Sequence, residues 1–450
     1  MSALAIGYAG LTHLGLCSAV AAASKGFRVV GYDGDSARVK EIAEGRWPVL
    51  EPGLVELAGA HGARLAWRDD IGALGLCDVV YIASDVPTDE SGRSDLSGIM
   101  ALIERVTPVL KQEAILVVLC QVPPGFTRAL AFPPARLFYQ VETLVFGRAV
   151  ERASSPERFI IGCADSTARL PQAFGDFLSA FGCPILPMRY ESAELAKISI
   201  NCCLVASVSV ANTMAEVCEK IGADWSEIVP ALKLDKRIGQ HAYLAPGLGL
   251  AGGNLERDLA TVLRLAESTG SDSGVIESFV ISSRHCRDWA LRTLHEHVFA
   301  IRPDAAIGIL GLAYKENTHS TKNSPSIALI THLKHCRVQV FDPVVPLGAI
   351  GQPNVVGAKS ALDAARGMDA LVLMIPWPEF AKLSPVDLAG ALRGPVVLDP
   401  YRILEGPGIA AAGLDYLTLG APPLRGAVRK TEVSSYLGGQ GMGHGASGHA

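Results

Sequence analysis

The chain has 450 residues, of which 49% are hydrophobic and 19% charged, with a formal net charge of -5. That length accommodates two or three domains with separate cores, and the composition excludes a disordered polymer. The slightly acidic balance gives no reason to expect nucleic acid or an anionic membrane surface as a partner. Ten cysteines lie without CxxC pairs or a His-rich partner segment, so neither a metal site nor a disulfide framework is indicated, and free thiols in a reducing cytoplasm are expected.

Residues 2–6 form an apolar run that leads into glycines, followed by an Ala-rich helical stretch to Ser24. This start lacks the basic segment of a secretory signal, contains Gly7, Gly10, His13 and Gly15, and runs into a strand pattern at 27–32 that ends on Asp33. Further apolar runs at 79–83, 115–119 and 159–161 alternate with helical patterns, which implies parallel βαβ units. From Ser192 to about Lys220 one long helix carries small and apolar residues on several faces, as a helix between domains or in a dimer seam would. A second strand series follows at 307–310, 338–341, 370–373 and 396–398. The Gly-, His- and Ser-rich tail from Gly438 is expected to be disordered, and no stretch is read as a membrane span. The expected architecture is α/β, with two Rossmann-like doubly wound domains joined by a long central helix and helical domain. The division is 1–187, 188–298 and 299–437, with 438–450 as the tail.

A strand, a glycine turn, a helix and an acidic residue closing the next strand make a dinucleotide fingerprint. Glycines admit the pyrophosphate backbone-close, and the helix N-terminus favours its charge. Gly7 and Gly10 are placed at the second and third glycines, with Ala5 at the first. Asp33, 23 residues after Gly10, suits a ribose diol and so NAD rather than NADP.

Residues 249–258 read Gly-Leu-Ala-Gly-Gly-Asn-Leu-Glu-Arg-Asp. This loop, with Gly7-Tyr8-Ala9-Gly10-Leu11, Glu51-Pro52-Gly53-Leu54, Ala193-Glu194-Leu195-Ala196-Lys197 and Gly311-Leu312-Ala313-Tyr314-Lys315, resembles the UDP-glucose/GDP-mannose dehydrogenase family. The likeness runs from Gly7 to about Leu404. It implies NAD as cofactor, a nucleotide-sugar substrate and a homodimer. For the cofactor it implies Gly7, Tyr8, Ala9, Gly10, Leu11, Asp33, Arg38, Pro87, Gln121 and Lys322. For the substrate it implies Glu142, Lys197, Asn201, Arg237, Tyr243, Gly249, Gly252, Lys315 and Arg402, with Arg237 reaching a neighbouring subunit's substrate.

Three positions depart together. Asn254 stands where the family has its nucleophilic cysteine, Gln121 where it has a threonine acting through water, and Phe146 where it has a second glutamate. An amide cannot become a thiolate, so the covalent step is absent or done differently. The implied catalytic set is Lys197, Asn201, Asp258 and Glu142, with Asn254 in place of the thiol. Lys197 and Asn201, spaced i, i+4, share a helix face and could hold and polarise the C6 oxygen of a sugar. By themselves they are also an ordinary polar helix pair. Glu142 and Asp258 are available as bases for water, and Cys120, Cys202 and Cys203 are the nearest alternative thiols. Three functions follow: oxidation of a UDP-hexose at C6 without a thiol; a two-electron oxidation or redox isomerisation passing through the aldehyde or ketone; and a non-catalytic nucleotide-sugar subunit.

Overall fold

The computed structural model describes residues 4–89, 92–346, 348 and 350–427, so the segment 438–450 lies outside the described residues. Fifteen strands form two sheets among these residues. The first holds β1 (Ala5–Ala9), β2 (Arg28–Tyr32), β3 (Leu65–Arg68), β4 (Val79–Ile82), β5 (Ile115–Val118), β6 (Leu137–Gln140), β7 (Phe159–Cys163) and β8 (Ile185–Arg189). Their order is β3-β2-β1-β4-β5-β6-β7-β8, parallel except where β6 meets β7. The second holds β9 (Ile307–Leu310), β10 (Val338–Phe341), β11 (Val355–Gly357), β12 (Ala370–Leu373), β13 (Val396–Leu398), β14 (Asp415–Thr418) and β15 (Ala421–Leu424). Its order is β11-β10-β9-β12-β13-β14-β15, with only the β14–β15 pair antiparallel. These are two doubly wound α/β sheets, as expected.

β1, β4, β5, β9 and β12 are buried at every residue, which explains why they read as continuous apolar runs rather than alternating ones. Each fully buried Val, Leu or Ile contributes about 1.5–3 kcal/mol from the water it leaves. The chain order reverses between β1 and β4 in the first sheet and between β9 and β12 in the second. Ligands of open α/β sheets sit outside the carboxyl ends of the strands at such points.

The central helix, Tyr190–Ile221, leaves β8 directly and stops at Gly222, whose φ of 85° closes the last turn. One correction belongs to it: this helix is long and apolar enough to cross a bilayer, with a mean hydropathy of 1.5, although no stretch was read that way from sequence. Its buried polar residues explain its place in the fold. Glu194 accepts the N–H groups of Gly125 (2.6 Å) and Thr127 (2.8 Å), and Asn212 accepts that of Gly247 (2.8 Å). Gly162 lets β7 approach it, since a β-carbon there would lie 3.0 Å from Ala193 Cβ. The helix therefore ties the first sheet to the glycine loop.

Candidate active site

The dinucleotide turn lies five residues later in the alignment than the sequence placed it. Gly7, Tyr8 and Ala9 are inside β1, not in the turn. A β-carbon on Gly7 would meet Leu74, Val80 and Cys77, and Tyr8 is buried in a 5.0 Å stack on Tyr81. The strand must end before a turn can begin, and it ends at Ala9. Gly10 makes the turn with φ of 100°. The helix His13–Ser24 starts after Thr12, and Gly15 packs so tightly that a β-carbon would sit 1.8 Å from the Gly10 carbonyl oxygen. The fingerprint is thus Gly10-x-Thr12-x-x-Gly15. Its first glycine serves the turn, its third serves helix–strand packing, and Thr12 stands at the phosphate-facing second position. The spacing from Gly10 to Asp33 was the signal for this register.

Asp33 closes β2 beside that turn. Its carboxylate accepts the Leu11 N–H (2.9 Å) and the Arg38 guanidinium (3.1 Å), so Leu11, Asp33 and Arg38 are brought together. The Thr12 hydroxyl accepts the Asp85 N–H (3.0 Å), which pins the turn to the loop after β4 that carries Pro87.

At the carboxyl ends of β5 and β6 the central helix supplies a compact polar cluster. Lys197 Nζ lies 3.4 Å from Glu142 Oε2, both side chains largely buried. One helical turn on, Asn201 donates to Asp258 Oδ2 (2.5 Å). Gln121 donates its amide to the other Asp258 oxygen and accepts from Arg257, which itself lies 3.5 Å from Asp258. Asp258 is 1% exposed. Burial pushes its proton affinity above that of an ordinary aspartate, opposed by Arg257, the Asn201 amide and Lys197. Arg257 had no assigned role in the sequence reading, and only its adjacency to Asp258 hinted at one.

Asn254 opens the helix Asn254–Thr269 after Gly253, is exposed, and has no hydrogen-bond partner for its side chain among the described residues. The neighbouring thiols of Cys202 and Cys120 are not activated. Burial pushes Cys202 up to about 11, with Asp258 adding to the rise, and Cys120 up to about 12. At neutral pH both are thiols, the unreactive form. Cys203 is exposed.

The loop glycines make protein contacts. A β-carbon on Gly249 would lie 2.3 Å from the Ser283 carbonyl, and one on Gly252 would lie 2.4 Å from the Tyr314 ring. Close backbone approach is therefore required there by packing between elements, and not only by a substrate. Lys322 donates to the Thr88 hydroxyl (2.8 Å), joining the second sheet's loop to the first domain. Lys315 stands 5.6 Å over the Phe146 ring, whose other contact is a 4.2 Å stack on His13. His13 bonds Glu51 (2.8 Å), a buried carboxylate that also accepts the N–H of Gly147.

Two basic residues are not brought to this cluster. Arg402 is occupied by Asp224 (2.9 Å), the Ser226 hydroxyl and the Leu419 carbonyl, because its φ of 54° turns the chain toward the cap of the helix Trp225–Leu234. Arg237 is 89% exposed and pairs with Asp235, while Tyr243 is half exposed.

A glycine turn at a helix start, a carboxylate closing the next strand and a buried Lys–Asn–Asp cluster at the sheet's carboxyl edge are the layout of a dinucleotide-dependent oxidoreductase with two Rossmann-like domains. Family models agree segment by segment. Residues 4–174 match the NAD binding domain of the UDP-glucose/GDP-mannose dehydrogenase family, 191–282 its central domain and 308–406 its UDP binding domain. The chain belongs to the UDP-glucose/GDP-mannose dehydrogenase family. It is 30% identical to a UDP-glucose 6-dehydrogenase of Pseudomonas aeruginosa over 92% of this chain and 96% of that one. It is 28% identical to the UDP-glucose 6-dehydrogenase TuaD of Bacillus subtilis over 93% of each. A UDP-glucose dehydrogenase structure from Pyrobaculum islandicum superposes with a TM-score of 0.78 at 26% identity, covering 93% of this chain and 98% of that one.

Proposed function

We propose that the protein oxidises the C6 alcohol of a UDP-hexose, most simply UDP-glucose, with NAD as acceptor and without a covalent thiol step. The observation that carries this reading is the buried Lys197–Glu142 and Asn201–Asp258 arrangement beside an Asn254 that has no nucleophilic substitute.

The residues present fit the dinucleotide. The Gly10 turn and the helix N-terminus at His13 suit pyrophosphate, and Asp33 with Arg38 suits the adenosine ribose diol. Bound NAD supplies the acceptor for the hydride lost from C6. Lys197 and Asn201 hold the C6 oxygen and stabilise the negative charge it gains as its proton leaves. Asp258, with its raised proton affinity, takes that proton. For the second oxidation, Glu142, or Asp258 once its proton has passed to solvent, deprotonates a water that adds to the aldehyde, and the hydrate would give up its C–H hydride to a second NAD that replaces the first NADH. Lys315 supports the diphosphate side, while Arg402 is a positioning residue of the fold.

The exposed amide of Asn254 favours one second reading, in which the reaction stops at the aldehyde or passes through it to an isomer. Incubation of the purified protein with UDP-glucose and NAD, read by NADH absorbance and product mass, separates the outcomes. The acid supports the thiol-free four-electron route, an aldehyde or an isobaric sugar supports the second reading, and UDP-sugar binding with no NADH and no new product leaves a non-catalytic subunit.

We further propose a homodimer through the central helix, whose Val210, Met214, Val217 and Ile221 are exposed. In it Arg237, free of this chain's own cluster, would serve the partner's site. The domain division 1–187, 188–298 and 299–437 accompanies that assembly, and the unpaired cysteines suit a cytoplasmic setting.

A further inference from the structure

Asp85 lies just beyond β4, against the start of the dinucleotide helix. Its N–H donates to the Thr12 hydroxyl (3.0 Å). Ser84 before it packs so closely on the turn that a β-carbon on Gly10 would lie 2.9 Å from the Ser84 backbone. This lock brings the Asp85 carboxylate back onto the Thr12 hydroxyl and the His13 N–H. Thr12 gives that helix end no side-chain cap, and the first turn holds no acidic residue of its own. A carboxylate from another element therefore stands where the pyrophosphate of a dinucleotide is received.

The side chain lines a cleft. It is open to solvent, yet enough protein surrounds it that desolvation is the main cause raising its proton affinity above that of an ordinary aspartate. The Thr12 hydroxyl, the His13 ring and the His13 N–H oppose that rise, and the charge of Glu142 adds to it. The groups facing it come from three elements. The dinucleotide helix brings the Cys17 thiol and the His13 ring, which is already bonded to Glu51 (2.8 Å). The end of β5 brings the Cys120 thiol, and the loop after β6 brings Glu142, paired with Lys197 at 3.4 Å. A pyrophosphate reaching the His13 N–H would thus meet a like charge, in a cleft where water screens the repulsion less than in the bulk.

We propose that Asp85 is an internal anion that competes with the cofactor's pyrophosphate for the start of the dinucleotide helix, so that NAD binds as this carboxylate turns away. Asp85 thereby sets the affinity for NAD and the ease with which NADH leaves. In a reaction that consumes two NAD molecules in turn, the first NADH has to depart midway, and an anion returning to the turn favours its exit. Only that last use rests on the proposed four-electron reaction. The competition itself is a matter of binding and is measured without turnover.

The test is calorimetric titration of the full-length protein with NAD, comparing wild type with Asp85→Asn and Asp85→Ser. At neutral pH both variants should bind NAD more tightly, by about fivefold or more. Wild-type Kd should fall as pH drops, because a protonated Asp85 no longer repels the pyrophosphate, and should be level at high pH, where the charge is fully present. In the variants that slope should shrink to what the His13 ring contributes. Added salt should narrow the gap between wild type and variants, which a purely structural effect would not do. NADH, followed by its fluorescence, should leave the variants more slowly by about the same factor as the gain in affinity. Thermal unfolding checks that the loop is intact, and the second variant keeps the test open if one folds poorly. Equal or weaker NAD binding by the folded variants, or the full wild-type pH dependence persisting in them, would overturn the proposal.

Discussion

Replacing Asp258 with asparagine removes the charge on which four side chains converge. Asp258 accepts from Gln121 and Asn201 and faces Arg257 at 3.5 Å, with the carboxylate 1% exposed. In Asp258→Asn the Arg257 guanidinium, itself 8% exposed, loses the carboxylate it pairs with. Breaking one side of such a buried pair costs about 3–5 kcal/mol. An asparagine amide also has one acceptor oxygen, so one of the two amide donors is left facing an NH2 group, at about 1–3 kcal/mol. Relief of the buried negative charge offsets part of this, and a net loss of roughly 3 kcal/mol in stability is expected.

The catalytic effect is distinguishable from that loss. Removing a general base lowers kcat by about 10²–10⁴, or roughly 3–5 kcal/mol in the barrier. The pH profile gives the sharper test. Burial holds the Asp258 proton to higher pH than an ordinary aspartate. Wild-type kcat should therefore fall as pH drops through that raised value, because the base form is lost, and the rate should be level above it. In Asp258→Asn the acid limb should disappear while the KM for the sugar nucleotide changes little. Initial rates of NADH formation between pH 5 and 9, with thermal unfolding of both proteins as the control, decide the matter. A variant that keeps more than a third of kcat, or keeps the same acid limb, would refute the assignment of Asp258 as the base.

Asn254→Cys should restore a nucleophile at the helix start. Incubated with UDP-glucose and NAD, it should raise the acid-to-aldehyde ratio at least tenfold and become sensitive to alkylating reagents, read by product mass and by inactivation kinetics. Gly15→Ala places a β-carbon 1.8 Å from the Gly10 carbonyl oxygen, so the turn must shift. NAD affinity by calorimetry should fall at least tenfold, and stability should drop by about 1–3 kcal/mol. Arg402→Ala breaks a half-exposed pair with Asp224, worth about 1 kcal/mol, so the Tm should fall by a degree or two while the KM for the sugar nucleotide stays within twofold. A large KM effect there would return Arg402 to the substrate.

The fold was legible because fully buried parallel strands announce themselves. β9, β10, β12 and β13 were bounded to the residue by their apolar runs. The strands missed are β3, which reads Leu-Ala-Trp-Arg with no buried residue, the half-exposed β8 with Pro187, the three-residue β11, the closing pair β14 and β15, and β6, which is buried throughout but short and ends on Gln140. The i, i+4 relation of Lys197 and Asn201 was readable because both share one helix. The partnership of Gln121 with Arg257 was not, because 136 residues separate them and only the tertiary fold joins them. The glycine register failed for a local reason. Gly7 satisfies the motif's composition, but it lies inside a strand, where its lack of a side chain serves contact with Leu74, Val80 and Cys77.

The three positions that the sequence resemblance marks as departures differ in what surrounds them. Gln121 is fully engaged, its amide oxygen on Arg257 and its amide nitrogen on Asp258. A threonine is too short to bridge both, so this glutamine fixes the distance between a cation and the carboxylate it tunes. Phe146 has likewise gained a partner, the His13 ring at 4.2 Å, with Lys315 over it at 5.6 Å. A glutamate there would stand close to the buried Glu51 that His13 holds, and an uncharged ring avoids that repulsion. Asn254 alone has gained nothing, being exposed and unbonded at the start of its helix. Random decay of an active site leaves orphaned polar groups and cavities, whereas two of these three substitutions are woven into specific contacts around Asp258 and His13. The reaction should therefore be sought in what Asp258 can do to a bound alcohol or its hydrate, with position 254 left as the site where a thiol can be added back.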